Sequence, residues 1–317
     1  MLTLAVQRYK KLIMTIPPYL KSGNRVAIVA PAGYITPEQI THAIEVLTSW
    51  GLEVVLGKNL FSKHFTFSGT DEQRAADFQQ AIDNIHINAV FCARGGYGVM
   101  RIIDKINWVE FVKNPKWVVG YSDITALHSC INNVLQIASI HGPMPVNFEK
   151  LKDEQNSLLY LRKALFGEII KYKFPNTNNK LSQIVSGILK GGNLSLLYAL
   201  RGTLFDFISN GSILFIEDAG EYMYHIDRMI QNFRLGNKFS RLKGLIVGSF
   251  TEIKENDQQF GLLLKDIINK SVKDEKMPVV FDFPAGHIVP NYPLIFGKNA
   301  TIIIDKNFVE LVQNQCS

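Results

Sequence analysis

The first half of the chain alternates short apolar runs of strand length with segments that have a helical pattern. The runs are RVAIVA, EVVL, AVFCA, WVVG and ASI, at residues 25–30, 53–56, 89–93, 117–120 and 138–140. The helical segments between them cover residues 37–50, 70–82, 98–106 and 124–135. Strands that alternate with helices predict an α/β fold with a parallel sheet covered on both faces. Ligands of such sheets bind at the carboxyl ends of the strands, so the residues just after each run are the candidates for a site.

The second half of the chain mixes strand and helix patterns again and predicts a second α/β or α+β domain. Its apolar runs are SILFIE, GLIVGS, PVVFDF, ATIIID and FVELV, and its helical segments lie near residues 193–201, 222–235 and 259–270. The last two runs flank Lys306 and Asn307, which predicts a hairpin.

A polar stretch between the two halves predicts a connection. Residues 146–184 contain one helical segment near 154–166, followed by KYKFPNTNNK. We therefore divide the chain into an N-terminal extension (1–15), a first domain (16–150), a linker (151–183) and a second domain (184–317).

The charge and hydropathy of the chain indicate neither a nucleic-acid surface nor a membrane segment. The net charge of +6 arises from 34 basic and 28 acidic residues spread along the chain. The longest basic clusters, YKK at 9–11 and KYK at 171–173, are too short for a phosphate-backbone footprint. No run approaches the roughly 18 apolar residues that cross a bilayer, and the first residues lack the charge order of a secretory signal. We therefore expect no nucleic-acid or membrane partner.

The cysteines indicate a reducing compartment. Cys92, Cys130 and Cys316 are few, odd in number and far apart, which fits neither a disulfide framework nor a metal site. Cys92 lies inside the apolar run AVFCA, which favours a buried small side chain over a thiol nucleophile.

Ser122 is a candidate nucleophile because it follows a buried strand and precedes a helix. In KWVVGYSDITALH the strand ends at Gly120 and the helix begins by Ile124. A serine at such a sharp strand-to-helix turn is the arrangement of a nucleophile elbow, although Ile124 replaces the second glycine of G-x-S-x-G. The alternative is that Ser122 or Asp123 only caps the helix.

The segment CARGGYG at 92–98 also follows a buried strand directly. Paired glycines allow close approach to a ligand and leave backbone N–H groups free to donate, as in an oxyanion hole or a phosphate cradle. The segment matches no nucleotide-binding motif, and an ordinary tight turn is the alternative.

Glu217 ends the apolar run SILFIE, so its side chain should point into a crevice, where a carboxylate needs a partner. Asp218 and Glu221 precede an amphipathic helix and are better placed as helix-start groups.

His287 lies in a loop stiffened by prolines, FDFPAGHIVPNYPLIFG at 281–297. An exposed turn histidine is the alternative. His141, at a strand end before Gly142, is the one competing histidine. A serine, an acid and a histidine in this chain order, with a donor loop, match one known triad arrangement.

These motifs together resemble the LD-carboxypeptidase family of serine peptidases. The matching segments run in the family's order over roughly residues 16–312: VAIVAPAG, FSGTDEQRAADFQQA, CARGGYG, GYSDITALH, GGNLSLL, FIEDAGE with IDRM, and PAGHIVPNYPLIFG. The pair GYSDIT and ARGGYG is much more specific than either pattern alone. No triad position departs from the family pattern.

The resemblance implies a role for each matched residue. Ser122 would be the nucleophile, Glu217 the acid and His287 the base, with the backbone N–H groups of Gly96 and Asp123 as oxyanion donors. It also implies a Rossmann-like layered first domain that carries the serine, and a smaller swivelling α/β domain that carries the acid and the base.

Members of this family are typically cytoplasmic dimers that remove the terminal D-alanine from murein tetrapeptides in cell-wall recycling. The resemblance therefore implies a cytoplasmic homodimer that acts on a small peptide without a metal or a cofactor. Such an enzyme must hold the substrate's terminal carboxylate, and Arg94 or Arg228 could do so with a bidentate fork. Either arginine could equally be a structural ion-pair partner.

Two other functions remain open on the sequence. A branch of this family hydrolyses peptidyl or aminoacyl nucleotide conjugates in self-immunity, and a nucleobase usually needs an aromatic platform. All three tryptophans, Trp50, Trp108 and Trp117, lie in the first half, which favours the murein peptide. The second possibility is a binding module without catalysis, in which Ser122 only caps a helix.

Overall fold

The computed structural model describes residues 14–176, 182–255 and 257–313. Most of the predicted N-terminal extension lies outside these ranges. Thr15 is inside them, and its backbone N–H donates to Gln136 O at 2.8 Å.

The first half forms five strands with helices between them. The strands are β1 (Arg25–Val29), β2 (Glu53–Leu56), β3 (Ile87–Cys92), β4 (Trp117–Gly120) and β5 (Ser139–His141). The α-helices are α1 (Thr41–Ser49), α2 (Asp71–Asp83), α3 (Val109–Lys113) and α4 (Thr125–Ser129), and α4 continues as a π-helix over Cys130–Val134. The predicted helix at 98–106 consists instead of two short 3-10 helices, Val99–Arg101 and Ile103–Lys105.

The second half contributes four helices and eight strands in the described ranges. The helices are α5 (Gln155–Phe166), α6 (Leu194–Ala199), α7 (Met223–Leu235) and α8 (Leu264–Ser271). The strands are β6 (Ile170–Pro175), β7 (Gln183–Asn193), β8 (Ser212–Ala219), β9 (Gly244–Thr251), β10 (Val279–Val280), β11 (Leu294–Phe296), β12 (Asn299–Ile304) and β13 (Phe308–Gln313).

These strands form two sheets. The first has the order β11-β5-β4-β3-β1-β2, and its five strands from the first half are parallel. The second has the order β10-β9-β8-β7-β12-β13-β6, parallel from β7 to β10 and antiparallel beyond β7. The predicted α/β class is confirmed, and so is the hairpin of β12 and β13.

The strand β6 lies within the segment that the sequence assigns to a linker. It pairs with β13 at the edge of the second sheet. Ile170 and Tyr172 are buried while Lys171 and Lys173 are exposed, so one face of β6 covers the core and the other faces solvent. This alternation, with period two, is a strand signal inside a polar segment. The domain boundaries stay a prediction, but residues 170–175 are part of the second sheet.

The strand β11 belongs to the first sheet, although it comes from the second half of the chain. It pairs antiparallel with β5, with Leu294 opposite His141. One buried apolar cluster includes Ile140 and Phe296 from the first sheet and Phe215 from β8 of the second. The two sheets therefore share a core, which fixes the ends of their strands relative to each other. No helix in the described part of the chain is long and apolar enough to cross a membrane.

Candidate active site

Ser122 lies at the turn between β4 and the helical segment that leads into α4. Its φ is +63°, in the left-handed region, which costs a non-glycine residue about 1–3 kcal/mol. It begins a 3-10 helix, Ser122–Ile124, whose N-cap residue is Tyr121. A strained turn that presents the serine hydroxyl at the end of a buried strand has the geometry of a nucleophile elbow. Ser122 is the first residue of this helix and not its N-cap, which does not support the capping alternative for Ser122.

A chain of hydrogen bonds joins Ser122 to a histidine and a glutamate. Ser122 Oγ lies 3.1 Å from His287 Nε2, and His287 Nδ1 lies 2.7 Å from Glu217 Oε2. Because an ionised carboxylate only accepts, His287 Nδ1–H donates to Glu217 and Nε2 is left to accept from the serine O–H. His287 is 165 positions from Ser122 and 70 from Glu217, so only the fold brings these side chains together.

The surroundings of these three hydrogen-bonded side chains favour a protonated imidazole at His287. The side chain of Glu217 is fully buried, and that of His287 is 27% exposed. Burial lowers the pKa of His287, but the hydrogen bond to Glu217 and the charge of that carboxylate raise it, and the net pKa is above its usual value. Glu217 therefore stabilises an imidazolium at this position.

The loop that carries His287 is held by groups that the sequence reasoning missed. Gly286 has a φ of +116°, and a Cβ there would lie 2.7 Å from Glu217 Oε2. Its N–H donates to Asn291 Oδ1 at 2.9 Å, and the N–H of the buried Asn291 donates to Ser157 Oγ at 3.0 Å. The ring of Tyr121, next to the serine, lies 4.9 Å from the His287 ring, edge to face. The glycine in PAGH was the available signal, since only a residue without Cβ fits against the carboxylate.

The paired glycines lie directly against the serine. A Cβ on Gly95 would be 2.9 Å from Ser122 Cβ, so this glycine allows the loop to approach Ser122. Gly95 O accepts from Gly33 N at 3.0 Å. Gly96 is exposed and has a φ of +107°. Asp123 is the second residue of its 3-10 helix, so its N–H has no acceptor within that helix.

The side chain of Asp123 does not face solvent. It is 1% exposed, and its Oδ2 accepts from Val99 N at 2.9 Å, across from the glycine loop. Burial raises the pKa of Asp123 to about 6, although the Val99 hydrogen bond and the charge of Arg74 act in the opposite direction.

The two predicted carboxylate-binding arginines have other contacts. Arg94 is half-buried, and its Nη1 donates to Tyr34 O at 3.2 Å. Arg228 is exposed on α7, with its guanidinium 5.2 Å from the centre of the Tyr224 ring. Neither guanidinium hydrogen-bonds to a triad side chain in the part of the chain that the structure describes.

Asp218 differs from the expectation that both it and Glu221 serve the start of the following helix, whereas Glu221 agrees with it. Asp218 instead accepts from Asn193 Nδ2 at 2.8 Å and from Ser195 N at 2.9 Å, at the start of α6. Burial and the charge of Glu217 raise the pKa of Asp218 to about 6. Glu221 precedes α7 as expected and pairs with His225 Nδ1 at 2.5 Å. The prediction was wrong for Asp218 because β7 pairs with β8 and leads directly into α6, so Asp218 meets the start of α6 and not that of α7.

The alternative nucleophile and base are both buried in the core. His141 is fully buried, with the Phe215 and Phe296 rings 5.0 and 5.3 Å away, and burial holds its pKa well below its usual value. Burial also raises the pKa of Cys92, which disfavours the thiolate. Among the described residues, no group of three or more His, Cys, Asp or Glu side chains could hold a metal ion.

Comparison with known proteins agrees with this architecture over both halves of the chain. The sequence profiles of the LD-carboxypeptidase N-terminal and C-terminal domains match residues 26–142 and 186–302. A probable murein peptide carboxypeptidase of Bacillus subtilis is 33% identical over 290 residues, which cover 90% of this chain and 91% of that protein. The Microcin C7 self-immunity protein MccF of Escherichia coli is 24% identical over 315 residues, 92% of this chain and 93% of that one.

A solved structure has the same two-sheet fold. The crystal structure of muramoyltetrapeptide carboxypeptidase from Oxalobacter formigenes superposes with a TM-score of 0.82 at 28% identity, covering 91% of this chain and 98% of that one. With both family domains matched in order, the chain belongs to the LD-carboxypeptidase family and is a serine-type carboxypeptidase.

Proposed function

We propose that this enzyme releases the terminal D-alanine from murein tetrapeptides by acyl transfer through Ser122, His287 and Glu217. The observation that carries the proposal is the hydrogen-bonded chain from Ser122 Oγ through the imidazole to Glu217, with distances of 3.1 and 2.7 Å. A nucleophile within reach of a base, and a base oriented by a buried acid, are the parts that serine acyl transfer requires.

In the first step, His287 Nε2 takes the Ser122 proton while Oγ attacks the carbonyl carbon before the terminal D-alanine. The carbonyl oxygen becomes an oxyanion, held by the backbone N–H groups of Gly96 and Asp123. The imidazolium is stabilised by Glu217, which also fixes the tautomer. His287 then gives its proton to the leaving amine of D-alanine, and the C–N bond breaks to leave an acyl-serine.

In the second step, water replaces D-alanine. His287 Nε2 takes a proton from water, the hydroxide oxygen attacks the acyl carbon, and the C–O bond to Ser122 breaks as the serine recovers its proton. The products are a tripeptide with a free carboxylate and the free enzyme. None of these steps uses a metal or a cofactor.

The muropeptide is favoured over a peptidyl-nucleotide conjugate by the relatives. The murein peptide carboxypeptidase of Bacillus subtilis is 33% identical to this chain, whereas MccF is 24% identical. We also propose a role in cell-wall recycling as a cytoplasmic homodimer, which sedimentation and cell fractionation would test.

Mass spectrometry of defined substrates tests the proposal. Purified enzyme should release D-alanine from tetrapeptides with lysine or diaminopimelate as the third residue, and leave the epimer ending in L-alanine intact. Glutamyl sulfamoyl guanosine should be a poor substrate. If the enzyme cleaves that conjugate and releases no D-alanine from tetrapeptides, the peptidyl-nucleotide conjugate is the substrate. If a fluorophosphonate does not label Ser122, the protein is a binding module without catalysis.

A further inference from the structure

The glycine loop beside Ser122 is fastened at its carboxyl end by two buried charged side chains. Gly98 O accepts from Arg74 Nη1 at 2.9 Å, and Val99 N donates to Asp123 Oδ2 at 2.9 Å. These two backbone groups are neighbours in the chain and follow the proposed oxyanion donor, Gly96, by two and three positions. Side chains from two different elements thus fix the end of the loop.

Arg74 joins this loop to the turn after β1. Its side chain has no exposed surface, and its Nη1 also donates to Pro31 O at 2.5 Å. The turn and the loop contact each other directly, since Gly33 N donates to Gly95 O at 3.0 Å. A buried guanidinium loses its hydration, and here it donates hydrogen bonds to carbonyls of the two backbone segments that meet next to the serine.

Asp71 completes the charge balance of Arg74 without touching the loop. Its carboxylate pairs with Arg74 and with Arg101, whose Nη2 is 2.9 Å from Asp71 Oδ2. The Phe67 ring lies 4.9 Å from the Arg74 guanidinium carbon. The arginine is therefore held in one orientation by groups of α2 and the segment before it.

Asp123 has two connections to the oxyanion site. Its backbone N–H is one proposed donor, and its side chain holds Val99, the residue that follows the glycine loop. Because the side chain and the N–H belong to one residue, the hydrogen bond to Val99 sets the distance between the nucleophile turn and the loop that carries the Gly96 N–H. The catalytic value of an oxyanion hole depends on donors that are already in place.

We propose that the side chains of Asp123 and Arg74 are positioning residues that set the spacing of the two oxyanion donors. This inference rests on the proposed serine acyl-transfer function. Neither side chain contacts the reacting atoms in this assignment, and each acts through the backbone of the loop.

The test compares Asp123→Ala with a matched control, Asp77→Ala. Asp77 is also a buried carboxylate that accepts a backbone N–H, from Asn59 at 2.7 Å, but it lies on α2 away from the glycine loop. Loss of the loop position should lower kcat about 10²-fold in Asp123→Ala, since a displacement of 1 Å can have that effect. KM and the affinity for the product tripeptide should stay within about twofold, and the Kd of a peptide boronate should rise with the loss of kcat. Asp77→Ala should lower the melting temperature by about as much as Asp123→Ala does, but should leave kcat unchanged.

Conservative variants separate positioning from general instability. Asp123→Asn retains an acceptor for Val99 N and should recover most of the lost kcat. Arg74→Lys keeps the charge but loses the planar fork, so it should show the same split between kcat and KM as Asp123→Ala. If Asp123→Ala does not fold, Asp123→Ser replaces it, because serine is too short to reach Val99.

The rate of Ser122 labelling by a fluorophosphonate provides a readout independent of the substrate, since the tetrahedral adduct uses the same donors. A labelling rate of Asp123→Ala equal to that of Asp77→Ala would overturn the positioning role. If wild-type enzyme is labelled but releases no D-alanine, the substrate assignment fails, and the labelling rates still decide the role of Asp123 and Arg74.

Discussion

The two halves of the proposed active site are built in different ways. The nucleophile half, Ser122 with the glycine loop, comes from the ends of the neighbouring strands β3 and β4. Its geometry is set by the backbone, through the left-handed φ of Ser122 and the free N–H groups of the first helical turn. The acid–base half comes from β8 and from the loop between β10 and β11, and its geometry is in side chains. That loop leaves the second sheet and enters the first, because β10 pairs with β9 and β11 with β5. His287 therefore lies where the chain crosses between sheets, over the serine.

This difference predicts how each half responds to change. A backbone-defined site should depend on steric fit, whereas a side-chain-defined site should depend on charge and tautomer. Substitutions in the two halves can test that contrast.

Removal of the nucleophile should have the largest effect. Ser122→Ala should lower kcat by about 10⁶-fold, as for other serine triads, with an unchanged melting temperature because alanine has the same Cβ at this φ. Turnover of a tetrapeptide and thermal unfolding measure the two. Cys92→Ala is the control and should keep its kcat. Residual activity within about tenfold of wild type would remove Ser122 as the nucleophile.

Exchange of the acid should cost less than loss of the serine. Glu217→Gln should lower kcat by about 10⁴-fold, the cost of a comparable exchange in the serine-protease triad, because the amide can present an N–H to the imidazole and favour the wrong tautomer. The fold should remain, since a neutral amide is easier to bury than a carboxylate.

Asp218→Asn is the matched control for that exchange. Asp218 accepts hydrogen bonds at the start of α6, so its loss should lower the melting temperature rather than kcat at a temperature where the protein is folded. A variant Asp218→Asn that loses rate with its stability intact, beside a fully active Glu217→Gln, would show that the wrong acid is assigned.

A steric change in the acid–base half should have a smaller effect. Gly286→Ala places a Cβ 2.7 Å from Glu217 Oε2 and also against Ser249 Oγ, and should lower kcat about 10²-fold by displacing the carboxylate or the histidine loop. Gly211→Ala is the control, since Gly211 also has a positive φ, +74°, and lies at the opposite end of β8. Apart from its chain neighbours, no atom of the described residues would lie within 4 Å of the added Cβ. Gly211→Ala should lose stability only. Equal losses of kcat in both variants would mean that backbone strain, and not the contact with Glu217, is responsible.

The smallest effect should be a shift of the pH profile. The base acts as neutral imidazole, so kcat/KM should fall below the pKa of His287 in the free enzyme. Glu217 holds that pKa above 6.5, and the acid limb should therefore lie above pH 6.5 in the wild type. In Glu217→Gln the raising charge is gone while burial still lowers the pKa, so the limb should move to lower pH. If the acid limb of the kcat/KM profile lies at the same pH in Glu217→Gln as in the wild type, Glu217 does not set the pKa of the base.

Much of the nucleophile half could be predicted from the sequence. The strand-to-helix turn at Ser122 and the glycine pair after β3 are local patterns within about thirty residues, and local periodicity and turn chemistry report on them. The placement of Glu217 on an apolar strand could also be inferred, although that strand continues to Ala219, and so could the position of His287 in a stiff loop. The family resemblance implied a role for each.

The tertiary structure alone decided which groups meet. In the structure, β6 lies at the edge of the second sheet and β11 pairs within the first. Asp218 accepts a hydrogen bond at the start of α6, and the buried Arg74 donates to the glycine loop. A strand's own periodicity states which face is buried but does not specify its partner, because pairing depends on residues far away in the chain. The sequence by itself therefore determined most of the strands and helices, with β6 and the segment 98–106 as exceptions, and long-range pairing determined that a serine, a histidine and a glutamate share one site.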